Sequence, residues 1–98
     1  MSKDNLLCCV KAYLETIVSV DLSQLELYYD GPAEEEKTSS GKDVSGRPVW
    51  YGGLDSNPES LALSVYEFDD RQICVSLRRF FKNGPFEDTD IMLELESA

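Results

Sequence analysis

Ninety-eight residues, 42% of them hydrophobic, make one domain around one core: the chain is too short to divide and too apolar for global disorder. Nine Lys and Arg against nineteen Asp and Glu leave a net charge of -10, which disfavours nucleic-acid phosphates and anionic membrane surfaces and favours basic partners. With no histidine and only three cysteines, the composition excludes Ser-His-Asp and Cys-His catalysis, His/Cys zinc sites and a secreted disulfide framework.

The opening Met1-Ser2-Lys3-Asp4-Asn5 is polar and holds no apolar signal segment, and no later apolar run approaches the ~20 residues that span a bilayer. The expectation is a cytoplasmic protein, in its own cell or in a host. Leu6, Leu7, Val10, Leu14, Ile17 and Val18 then recur at three- and four-residue spacing, which predicts an amphipathic helix capped by Ser2 or Asp4. Cys8 and Cys9 fall on different sides of it, one toward a core and one toward the surface, with no partner at metal-ligand spacing.

Between Val20 and Tyr29, Leu25, Leu27 and Tyr29 alternate with polar neighbours and favour a strand, ended by Asp30-Gly31-Pro32. A short helix opening at Asp21 is the alternative. Residues 31–46 are poor in apolar side chains and rich in Gly, Ser and charge. They read as a mobile acidic loop inside the single domain, because such a stretch cannot offset the entropy of ordering itself. Arg47-Pro48-Val49-Trp50-Tyr51 follows as a short strand closed by Gly52-Gly53, with Pro48 suggesting an edge position, and 54–60 is a connector.

Three period-two runs end the chain. Leu61, Leu63 and Val65 share one side of the first, Ile73, Val75 and Leu77 of the second, and Ile91, Leu93 and Leu95 of the third. The turn signals Asp69-Asp70-Arg71 and Lys82-Asn83-Gly84-Pro85 separate them, predicting an antiparallel meander whose aliphatic face the helix covers. The fold class is therefore α+β: one N-terminal helix on a four- to five-stranded, mainly antiparallel sheet ending in a three-stranded meander. No internal repeat is visible.

Parity assigns Tyr66, Phe68, Cys74, Arg78, Phe80, Met92, Glu94 and Glu96 to the opposite face. Aromatics, Arg and Met are enriched at the centres of protein interfaces, so Tyr66, Phe68 and Phe80 are candidate contact residues. The competing reading is that the long loop or the Trp50 segment folds over them. The acids expected around the rim are Glu34, Glu35, Glu36, Asp69, Asp70, Glu87, Asp88 and Asp90. The Glu87-Asp88-Thr89-Asp90 run offers hard oxygens to calcium but lacks the EF-hand loop, and solubilising a turn explains it more simply.

No phosphate loop, metal motif or cofactor motif is present, and no carboxyl sits in an apolar context that would raise its pKa for acid-base work. The expected function is that of a small acidic inhibitor rather than an enzyme. By protein contact it blocks a basic, nucleic-acid-binding site on a nuclease or an RNA-guided defence complex, as phage antagonists of bacterial defence and toxin-immunity proteins do. It needs no cofactor, contacts no nucleic acid directly and is a monomer or homodimer. The alternative is a structural or adaptor module that assembles through the second sheet face.

Overall fold

The computed structural model describes residues 2–56 and 59–95. Helix α1 runs Lys3–Leu14 and starts where Ser2, in extended backbone, accepts the Asn5 amide on its Oγ at 3.3 Å. Leu6, Val10 and Leu14 form its buried stripe. The helix stops before Ile17 and Val18. Thr16 turns its hydroxyl back onto the Tyr13 carbonyl at 2.6 Å, and three β-branched residues in succession are poor helix formers. Val18 nevertheless stays in the core, its amide still bonded to the Leu14 carbonyl.

Five strands follow: β1 Glu26–Pro32, β2 Pro48–Leu54, β3 Glu59–Glu67, β4 Gln72–Phe81 and β5 Phe86–Glu94. They pair in the order β1-β2-β3-β4-β5, every neighbour antiparallel, so the meander extends through the whole sheet. The architecture is the expected α+β, with several boundaries moved. The first strand begins at Glu26 because the Val20 region turns: Asp21 accepts the Ser23 amide at 2.9 Å and the Leu25 amide returns to Leu22. The last strand begins at Phe86, five residues before the aliphatic alternation starts at Ile91. Glu96 lies outside the described residues.

β2 is an interior strand, which corrects the edge position inferred from Pro48. That proline is the first residue of the strand, where a missing N–H is tolerated, and it faces Pro32 across a bulge. Nor do Gly52 and Gly53 close the strand. A Cβ on Gly52 would lie 2.6 Å from the Glu26 carbonyl oxygen and 2.9 Å from a Leu27 methyl, so glycine is what lets β1 pack this closely.

The predicted aliphatic face is the core. Leu63 lies opposite Leu77, Val65 opposite Val75 and Ile73 opposite Leu93, all in one buried cluster or packed on it with Leu6, Val10 and Leu14. Between β3 and β4, Asp70 and Arg71 both take positive φ, 58° and 61°, the geometry of a two-residue hairpin turn that follows the twist of the strands. Arg71 also donates from Nε to the Leu95 carbonyl at 3.2 Å, tying down the chain after β5.

Because Leu77 is buried at the centre of this seam, Leu77→Ala is expected to cost about 2–5 kcal/mol. Denaturant unfolding of the two proteins checks this, and an unchanged midpoint would place Leu77 on the wrong face.

Candidate protein-interaction surface

The second face of the sheet is covered by the chain's own loop. From Ala33, whose amide donates to the Arg47 carbonyl at 2.8 Å, the loop crosses the sheet and returns at Arg47. Its two arms are held together by the Val44 amide on the Glu36 carbonyl at 2.9 Å and the Thr38 amide on the Lys42 carbonyl at 2.9 Å. Val44 is fully buried and completes a second core cluster with Ala33, Val49, Tyr66 and Cys74. The loop thus inserts Val44, with Ala33, against an apolar patch that Val49, Tyr66 and Cys74 of the sheet supply.

Polar contacts fasten the rest. The Glu35 carboxylate accepts the Tyr66 hydroxyl at 2.7 Å and the Tyr51 hydroxyl at 3.1 Å. The Tyr66 bond is the main reason the Glu35 carboxyl is held below its ordinary range, and burial together with that bond pushes the Tyr66 phenol well up. At the far side of the sheet the Ser40 amide donates to Asp90 Oδ2 at 3.2 Å, and the Ser40 hydroxyl bonds the same oxygen. Burial pushes the Asp90 carboxyl up, but hydrogen bonds from Ser40, Thr38 and Ser76 outweigh it and the net shift is downward. Lys42 and Arg47 lie 5.4 and 4.5 Å from the Phe68 ring centre, and Arg47 also reaches Asp69 at 3.4 Å.

The candidate residues are therefore divided. Tyr66 is 4% exposed, so it is a core residue and offers no contact surface. Phe68 is half-buried beneath two cations, and Glu35, Asp69 and Asp90 are bonded within the chain. The Glu87-Asp88-Asp90 group is split by strand alternation, which sends Glu87 to the helix side and Asp88 and Asp90 to the other. Asp88 holds Arg78 through two bonds of 2.6 and 2.8 Å, and Glu87 lies 3.7 Å from Arg79. Arg79 is held more closely by the buried Glu59, at 2.8 and 3.1 Å. These acids neutralise arginines of their own sheet rather than forming a free rim.

Glu34, Glu36 and Asp70 are exposed and make no side-chain hydrogen bond or ion pair among the described residues. Phe80 is exposed beside Phe86, ring centres 6.2 Å apart, and the Arg78 guanidinium stacks 4.0 Å from the Phe86 centre. Between Phe80 and loop residues 37–39 lies an open groove of about 430 Å³, floored by Ala62, Ser64 and Ser76.

Tyr28 and Tyr29, not singled out from the sequence, are the most exposed large hydrophobic side chains of the described residues at 66% and 57%. They stand on β1 beside Asp30. Tyr29 rests its ring 5.1 Å from Trp50, and burial first, then the Glu35 hydrogen bond and the negative charges of Glu35, Asp30 and Glu34, push the Tyr51 phenol up. The adjacent tyrosines were the available signal, since a strand with Leu25 and Leu27 turned inward must send Tyr28 outward.

Among the described residues, no three His, Cys, Asp or Glu side chains gather so as to hold a metal, and no helix is long and apolar enough to cross a membrane. Comparison of the chain with protein-family models, with curated proteins and with solved structures finds no match.

Glu35 and Asp90 both have depressed carboxyl pKa values, so the stability they contribute is complete above the unfolded value of about 4 and is lost as pH falls through the folded values. Amide-exchange protection at Thr38 and Val44 should therefore be high at neutral pH and collapse below about pH 4, while protection in β3 and β4 persists. Glu35→Gln should lower loop protection at neutral pH as well. Loop protection that is independent of both changes would contradict this anchoring.

Proposed function

We propose that this protein is a small acidic inhibitor that works by contact with another protein, in the cytoplasm of its own cell or of a host. It occupies a basic, nucleic-acid-binding site on a nuclease or on an RNA-guided defence complex. One observation carries the reading. A surplus of ten negative charges is displayed on a domain whose Lys3, Arg47, Arg78 and Arg79 are already paired with its own acids. Among the described residues, Asp30, Glu34, Glu36 and Asp70 are exposed and form no ion pair with a cation. Dense unpaired carboxylates imitate a row of phosphates and attract a basic groove from a distance.

The action is steric and electrostatic, with no bond made or broken. The acids accelerate encounter, and the exposed aromatics Tyr28, Tyr29 and Phe80 supply the apolar contact that slows release. Assembly of copies through the second sheet face is the weaker reading, because the Val44 loop already occupies the centre of that face.

The target is to be captured from the native cell and its binding kinetics measured against salt. Exposed charges are screened over about 8 Å at physiological ionic strength, so the association rate should fall steeply as salt rises. Glu34→Gln with Glu36→Gln should slow association without changing the fold. Neutralising Asp88 should instead destabilise the protein, since it uncouples Arg78. Nucleic acid should compete for the target, and binding of this chain to free DNA or RNA at physiological salt would refute the proposal.

A further inference from the structure

We propose that the outer edge of β1 receives an extended, cationic segment of the target as a sixth strand; this identifies the partner's chemistry and rests on the inhibitor reading above. β1 is terminal in the sheet order and, among the described residues, pairs only with β2, so its other side presents backbone donors and acceptors that no described strand pairs. Such an edge is a template for another strand. The register breaks between Tyr29 and Pro32, Gly31 takes a positive φ of 81° and Pro32 has no N–H to donate. The usable edge is therefore Glu26 to Asp30.

Strand parity places Glu26, Tyr28 and Asp30 on one face of this edge, about 7 Å apart in succession. The row is anionic, aromatic, anionic. The chain itself shows what chemistry such a row takes: the Lys3 ammonium lies 3.3 Å from the Glu26 carboxylate and 5.7 Å from the Tyr28 ring centre. At the other end, Asp30 is exposed and forms no ion pair among the described residues, and the chain's own ion pairs leave it free to take a cation. A lysine or arginine opposite Asp30, with an apolar residue two positions away opposite Tyr28, complements the row.

The same charges argue against a second copy as the occupant. Antiparallel self-pairing centred on Tyr28 sets Glu26 against Asp30 on both sides of the centre, and like charges directly opposite are destabilising. β5 is the less suitable edge, since Ser40 of the loop reaches it and its Asp88 and Asp90 are bonded within the chain.

The test uses the whole protein, isotopically labelled, and synthetic nine-residue peptides that alternate lysine with valine. The lysine peptide should shift the amide resonances of residues 26–30 and slow their exchange, while the glutamate counterpart should do neither. Two further lysine peptides carry N-methyl groups on alternate residues, one set each. The one methylated on the side facing β1 should bind at least tenfold more weakly, and the other should bind as the parent does. Tyr28→Ala and Asp30→Asn, both at exposed positions, should each weaken the parent peptide severalfold with an unchanged circular dichroism spectrum. Equal binding of both methylated peptides, or shifts confined to other strands, would overturn the sixth-strand proposal. Salt-dependent competition with nucleic acid for the captured target would in that case still stand, so the two readings fail separately.

Discussion

The structure depends on burying one face of a five-stranded meander beneath a single short helix. Leu6, Val10 and Leu14 supply one side of that seam, and Leu63, Val65, Val75 and Leu77 the other. Removal of this apolar area from water is the main favourable term available to a domain of this size. The helix is only 12 residues long, however, and covers one face only. Everything distinctive about the chain follows from what happens on the other face.

There, Tyr66, Cys74 and Val49 would leave an apolar patch in water. The loop from Ala33 covers it with Val44, and the buried hydroxyl of Tyr66 finds its acceptor in Glu35. A buried hydroxyl without a partner is costly, so the Tyr66–Glu35 bond and the valine contact support each other. Closing this face has a functional consequence. The aromatic residues at its centre become structural, and the contact surface that the proposed function requires moves to the rim: Tyr28 and Tyr29 on β1, the Glu34 and Glu36 carboxylates, and Phe80 beside Phe86.

Much of the fold was legible in the sequence because period-two aliphatics mark a half-buried strand wherever they occur, as they do from Leu61 to Leu77. The start of β5 was not legible. Phe86-Glu87-Asp88-Thr89 lies at an edge, and the charged side chains that suit an edge strand read locally as a loop. Gly52 and Gly53 were misread for a related reason: glycine usually stops a strand, and here it admits the close approach of Leu27. The loop left the least trace. Its composition holds few apolar side chains, and the contacts that place it join Val44 and Glu35 to partners up to 31 residues away, which no periodicity records. The candidate site was legible to the same extent. Parity placed Tyr66, Phe68 and Phe80 on one face, but the loop covers Tyr66 and Phe68 and leaves Phe80 exposed.

Nuclear Overhauser spectroscopy of the free protein tests the closed second face most directly. Strong contacts are expected between the Val44 methyl groups and both the Tyr66 ring and the Val49 methyls, with Val44 shifted upfield by the ring. Random-coil shifts for Val44 and no contact with Tyr66 would contradict closure of this face, and would return Tyr66 and Phe68 to the exposed surface.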